Sequence, residues 1–218
     1  MDWLKNIWNG ICNSTPVIAI KNLWQAFTGK DTPDFYTQKD FIQPGFMTGD
    51  IVVFRAKNDW FAAAIRKITE KWGNHIAIIT SGLNTIEAEM QGVTKDTLTR
   101  AFNTNSQLIV FRKVNLTSTQ MIMIKGFLNG KIGEPYGADE LGNFILQTDY
   151  NDKASDFCSE LAVDAYNFAG IKISNRLPQA SAPGDLMSYF LSEEGKAAAW
   201  ILVDTYNILE SDVEKLTQ

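Results

Sequence analysis

A chain of 218 residues with 45% hydrophobic and 21% charged side chains has the composition of a globular protein with a real core, and its length suits one large domain or one domain with an appendage. Twenty Lys and Arg against 25 Asp and Glu leave a net charge of -5, which offers no general attraction to phosphate backbones, so nucleic acid is not an expected partner. Two cysteines and one histidine are too few for a disulfide framework or a recognisable zinc set, so any metal site would be mostly carboxylate.

Residues 1–45 read as an amphipathic helical extension. Trp3, Leu4, Ile7, Trp8 and Ile11 fall on one helical face, and Leu23, Trp24 and Phe27 suggest a second short helix after Pro16. Packing against the main domain is the expectation for it, because only Lys5 and Lys21 stand ready for a membrane surface; self- or partner association through these helices is the other use. No apolar run approaches the roughly 20 residues of a membrane-spanning helix. The first residues lack the positive n-region of a signal peptide. A cytoplasmic protein is therefore expected, with release on lysis left open.

From Gly49 a domain spanning 46–218 begins, with short β-branched runs. Ile51–Phe54, His75–Ile79, Thr85–Ala88 and Leu108–Phe111 each predict a strand. Between the first two, residues 59–70 carry apolar positions three and four apart and predict a helix, and a second helix is expected from Ser118 to Asn129 with Gly130 near its end. Residues 133–154 read mainly as loop. A helix from Phe157 to Phe168 follows, closed by Ala169 and Gly170. Ala198–Val203 fits either strand or helix.

Cys158 opens that last helix, with Ser155 and Asp156 as cap candidates, so its sulfur should lie near the first turn's backbone N–H groups. That position stabilises a thiolate, and the same N–H groups can face an acyl oxygen. A cysteine there also fits a small buried hydrophobe, as Cys12 does, and a histidine opening a strand fits a structural donor. What joins them is a third group: Glu87, on the strand after His75, can hold the imidazole in the orientation that serves Cys158. Glu89 shares its face by alternation, and the sequence leaves the choice between the two carboxylates open.

The ordered set Gly49-Asp50-Ile-Val-Val-Phe54, Asn74-His75-Ile-Ala-Ile-Ile79, Ile86-Glu87-Ala88 with Gly92-Val93, and Asp156-Phe-Cys158-Ser-Glu160-Leu with Ala165-Tyr166 and Ala169-Gly170 resembles the YiiX-like permuted papain-fold family, circularly permuted relatives of the NlpC-type cysteine peptidases. The likeness runs over about residues 46–190 and includes Pro183-Gly-Asp-Leu186. It implies an α+β, permuted papain-like fold, with an antiparallel sheet packed against helices. It also implies Cys158 as nucleophile, His75 as general base and Glu87 as the group orienting His75, with Tyr136 and Asn74 at the substrate and with neither metal nor organic cofactor required. One departure is Phe157, where the family often has tyrosine directly before the cysteine; another is the N-terminal extension.

The function so implied is a thiol hydrolase, a cysteine peptidase or amidase. It would cleave an amide or ester of a small peptide, a peptidoglycan-type peptide or a lipid-linked acyl substrate through a Cys thioester. Two alternatives stand beside it: an acyltransferase using the same three residues, and a non-catalytic binding protein for an amino-acid-like ligand.

Overall fold

The computed structural model describes residues 45–56, 60–99, 106–135, 157–174 and 181–208. All but the last residue of the expected 1–45 extension lies outside the described residues, as do Ser155, Asp156 and the Tyr136 loop. In chain order the elements are β1 (Ile51–Arg55), α1 (Trp60–Thr69), β2 (His75–Ser81), β3 (Asn84–Glu89), β4 (Gly92–Thr97), β5 (Gln107–Lys113), α2 (Ser118–Lys131), α3 (Cys158–Phe168), α4 (Pro183–Leu191), α5 (Glu193–Ala197) and β6 (Trp200–Tyr206). The six strands form one sheet in the order β4-β3-β2-β1-β5-β6, with every neighbouring pair antiparallel. This is an α+β architecture, as the sequence implied.

The continuous apolar run of β1 reflects its central place, since a strand covered on both faces has no reason to alternate. Ile51 and Val53 face a core shared with Ile76, Ile78, Ile86, Ile109 and Phe111. Onto this core pack Leu161, Ala162, Ala165 and Tyr166 of α3 and Leu186, Met187 and Phe190 of α4. Val52 and Phe54 point the other way, into a second cluster with Ala77, Ile79, Leu98, Leu108, Val110 and Tyr206. Each buried Ile, Val, Leu, Met or Phe side chain among these contributes about 1.5–3 kcal/mol of transfer free energy.

The four expected strands all form, and helices occupy the three expected places. Of the run 198–203, the part from Trp200 on is strand: β6 begins there after Ala199 turns the chain at φ 62 and pairs with β5 through Ile109↔Thr205 and Leu108↔Tyr206. β4 was not anticipated. Its polar Thr-Lys-Asp-Thr sequence lacks an apolar run because it is the sheet's edge, and only Gly92 and Val93 are buried. The α4 helix, also unanticipated, begins with Pro183 at its first turn, and the Asp185 carboxylate accepts the Ala182 N–H at 3.2 Å.

Two polar ties hold the start of β1. The Asp50 carboxylate, 1% exposed, accepts a bidentate pair from Arg112 of β5 at 2.7 and 2.6 Å and the Met47 N–H at 2.7 Å. The Tyr166 hydroxyl donates to the Gly49 carbonyl, joining α3 to the turn before β1. Burial, followed by the nearby Asp50 charge, raises the pKa of this phenol, so it stays a donor.

Candidate active site

Three elements converge on one point. α3 supplies Cys158 from its first turn, β2 supplies His75 from its first residue, and β3 supplies Glu87. The helix starts at Phe157, an extended residue (φ -101, ψ 166) whose side chain accepts no hydrogen bond. Phe157, rather than Ser155 or Asp156, thus holds the cap position. An apolar side chain there leaves the first-turn N–H groups, which no carbonyl of the same helix reaches, without a side-chain cap from that residue.

His75 Nε2 lies 2.5 Å from Glu87 Oε2, and the Glu87 side chain is fully buried while that of His75 is 17% exposed. The other Glu87 oxygen accepts the Thr85 hydroxyl at 3.1 Å. Thr85 is the residue that the sequence reading missed as a functional partner. Its signal was present, because positions two apart on a strand share a face. With Nε2 committed to Glu87, Nδ1 is the ring nitrogen left for a partner such as the Cys158 thiol. Burial lowers the His75 pKa, but Cys158 and then Glu87 outweigh it and push it up to about 10. The Phe54 ring stands 5.4 Å from the imidazole and walls one side.

Glu89 is the second carboxylate near this ring. One ligand atom each from His75, Glu87 and Glu89 lie within 4.8 Å of one another, the one described set of groups that could approach a single cation. The hydrogen bond to His75 is made by Glu87, whereas Glu89 accepts the Gln91 side-chain amide at 2.5 Å.

Asn74, expected at the substrate, is 4% exposed. Its Oδ1 accepts from the Ala56 N–H at 2.8 Å and from Arg66 Nη1 at 2.9 Å, so its carbonyl is spent on internal bonds. Tyr136 lies outside the described residues. Cys158 itself is 4% exposed and carries a free thiol.

A buried thiol at a helix start, with an imidazole backed by a buried carboxylate on the strands that α3 packs against, supplies groups that can activate a sulfur nucleophile and return a proton to a leaving group. No described helix is long and apolar enough to cross a membrane. The family model described as permuted papain-like amidase enzyme, YaeF/YiiX, C92 family, matches residues 46–179. No curated protein matches the chain.

Proposed function

Since the chain belongs to the permuted papain-like amidase family, we propose that it is a cysteine hydrolase in which Cys158 attacks an amide or ester carbonyl, with His75 as base and acid and Glu87 as the residue orienting His75. The observation carrying this reading is the contact of His75 Nε2 with the buried Glu87 carboxylate at 2.5 Å, on a ring whose pKa Cys158 and Glu87 together raise. In the neutral ring that contact keeps the proton on Nε2 and the lone pair on Nδ1, where it can serve the sulfur.

His75, held in its charged form, already carries the thiol's proton on Nδ1, and the sulfur adds to the carbonyl carbon. The oxyanion gathers charge beside the first-turn N–H groups of α3. Collapse breaks the carbon–nitrogen or carbon–oxygen bond, His75 returns the proton to the departing amine or alcohol, and a thioester remains on Cys158. Water, activated by Nδ1, then releases the acid. The substrate class is a small peptide, amide or acyl group.

The test is a panel of peptides, aminoacyl amides and acyl esters. Each is incubated with the wild type and with Cys158→Ala, with intact-mass detection of an acyl adduct. A turned-over substrate whose adduct and hydrolysis both vanish in Cys158→Ala supports the reading; hydrolysis that survives that substitution refutes it. The low exposure of Cys158 favours one second reading, transfer of the thioester to an amine or alcohol, because a site with little water protects the intermediate. Partitioning between water and added nucleophiles decides between the two.

A further inference from the structure

His75 follows directly on a five-residue link, Glu70 to Asn74, that brings the chain back from α1. Trp72, Gly73 and Asn74 of that link are buried. On one side it is bonded to β1 and the residue beyond it. The Asn74 N–H donates to the Phe54 carbonyl at 2.9 Å, and Asn74 Oδ1 takes the Ala56 N–H and Arg66. Arg66 also donates to the Ala56 carbonyl at 2.8 Å, and Arg55 donates to the Trp72 carbonyl at 3.4 Å.

On the other side stands the first turn of α4. A Cβ placed on Gly184 would lie 2.2 Å from Lys71 Cβ, 2.9 Å from its Cγ and 3.4 Å from its Cα. A Cβ on Gly73 would meet Val53 Cγ1 at 2.5 Å, and the Gly184 nitrogen at 3.7 Å. The link is therefore seated between β1 and α4 at backbone contact distance, and neither glycine has room for a methyl group. Glycine costs a helix about 1 kcal/mol against alanine, so helix propensity argues against glycine at 184, and the close approach of Lys71 accounts for it.

Resting on the Cys158–His75 reading above, we propose that Gly184 is a positioning residue. It sets how deeply Lys71–Asn74 seats between α4 and β1, and so where the His75 ring stands relative to the Cys158 sulfur. The wall behind the link is Val53, fully buried in the centre of the sheet. Moving from 2.2 Å to ordinary contact at 3.4 Å requires about 1.2 Å of displacement, and β1 leaves the link little room to yield. A misplacement of about 1 Å is enough to cost roughly a hundredfold in a catalytic step.

The test uses the full chain and needs no substrate. Gly184→Ala introduces the clash; Lys71→Gly combined with Gly184→Ala removes the opposing Cβ and leaves Lys71 Cα at 3.4 Å, an ordinary contact. Because His75 is the chain's one histidine, its ring resonances report its titration without assignment, and the alkylation rate of Cys158 reports the thiol. Gly184→Ala is expected to lower the His75 midpoint by at least about one unit and to slow Cys158 alkylation about tenfold, and the double variant to restore both.

If Gly184→Ala leaves both readouts at wild-type values, or the double variant is no closer to wild type than the single, the proposal is overturned. Should Gly184→Ala yield no folded protein, Asn74→Ser, which loses the reach to Ala56 and Arg66, carries the test with the same readouts: a fall in both supports the seating of this link as the cause, and no change overturns it. A wild-type His75 that titrates near its ordinary 6.5 defeats the Cys158–His75 reading itself. A perturbed wild type with an unmoved Gly184→Ala defeats only the role of Gly184.

Discussion

Glu87→Gln removes a charge while keeping a shape. Glutamine has the length of glutamate; its oxygen can accept His75 Nε2–H, and its amide can donate to the Thr85 hydroxyl, which accepts as readily as it donates. What disappears is the charge on a contact of 2.5 Å between groups that are fully buried on the glutamate side and 17% exposed on the histidine side. A hydrogen bond to a charged group contributes about 1.5–3 kcal/mol where a neutral one contributes about 1, so the imidazolium loses about 0.5–2 kcal/mol of support. That corresponds to a fall of about one pKa unit in His75 from its position at about 10. The assay is the pH titration of the histidine ring resonances by NMR, recorded for wild type, Glu87→Gln and Glu89→Gln. A midpoint in Glu87→Gln within about 0.3 unit of wild type, or an equal fall in Glu89→Gln, refutes the assignment of Glu87 as the partner of His75.

The same pair links stability to pH. The folded pKa of His75 is raised above 6.5, so the contribution of its charged form is fully present below about 6.5 and is lost as pH rises through about 10. In urea denaturation, the stability gap between wild type and Glu87→Gln is therefore widest near pH 6 and narrows toward pH 10 and above; a gap that grows with pH contradicts the pairing. Asp50→Ala strips the bidentate partner from Arg112, whose side chain is 20% exposed and so partly solvated; a loss of about 2–4 kcal/mol is expected by chemical denaturation, and a loss below about 0.5 kcal/mol would show the pair to be idle. Gly92 holds φ +113, and a Cβ there would lie 2.5 Å from the Glu134 carbonyl oxygen that accepts the Val93 N–H. Gly92→Ala is expected to cost about 1–3 kcal/mol, read as a lowered Tm, and an unchanged Tm would mean that the turn relaxes freely.

The central strands were legible because β1, β2, β3 and β5 carry apolar, β-branched runs that burial demands. β4 was not, because an edge strand needs only two buried residues and its remaining side chains are polar. α4 was hidden by its opening Pro183-Gly184, two residues that read as turn punctuation until the packing of Gly184 on Lys71 is known. At the site, alternation placed Glu87 and Glu89 together, but only three-dimensional contact distinguishes the one bonded to His75 from the one bonded to Gln91. The resemblance implies Asn74 at the substrate, and its side-chain carbonyl is bonded within the fold. Its bond to Arg66 follows from where α1 puts that residue, a tertiary fact with no local signature.

The central claim is that Cys158 and His75 act as one unit. Its most direct test is the rate of iodoacetamide alkylation at Cys158 across pH, read peptide by peptide with Cys12 as internal control, in wild type and His75→Ala. Cys158 in the wild type is expected to alkylate faster than Cys12 at neutral pH, and His75→Ala to slow Cys158 about tenfold or more while leaving Cys12 unchanged. Equal labelling of Cys158 with and without His75 would contradict it.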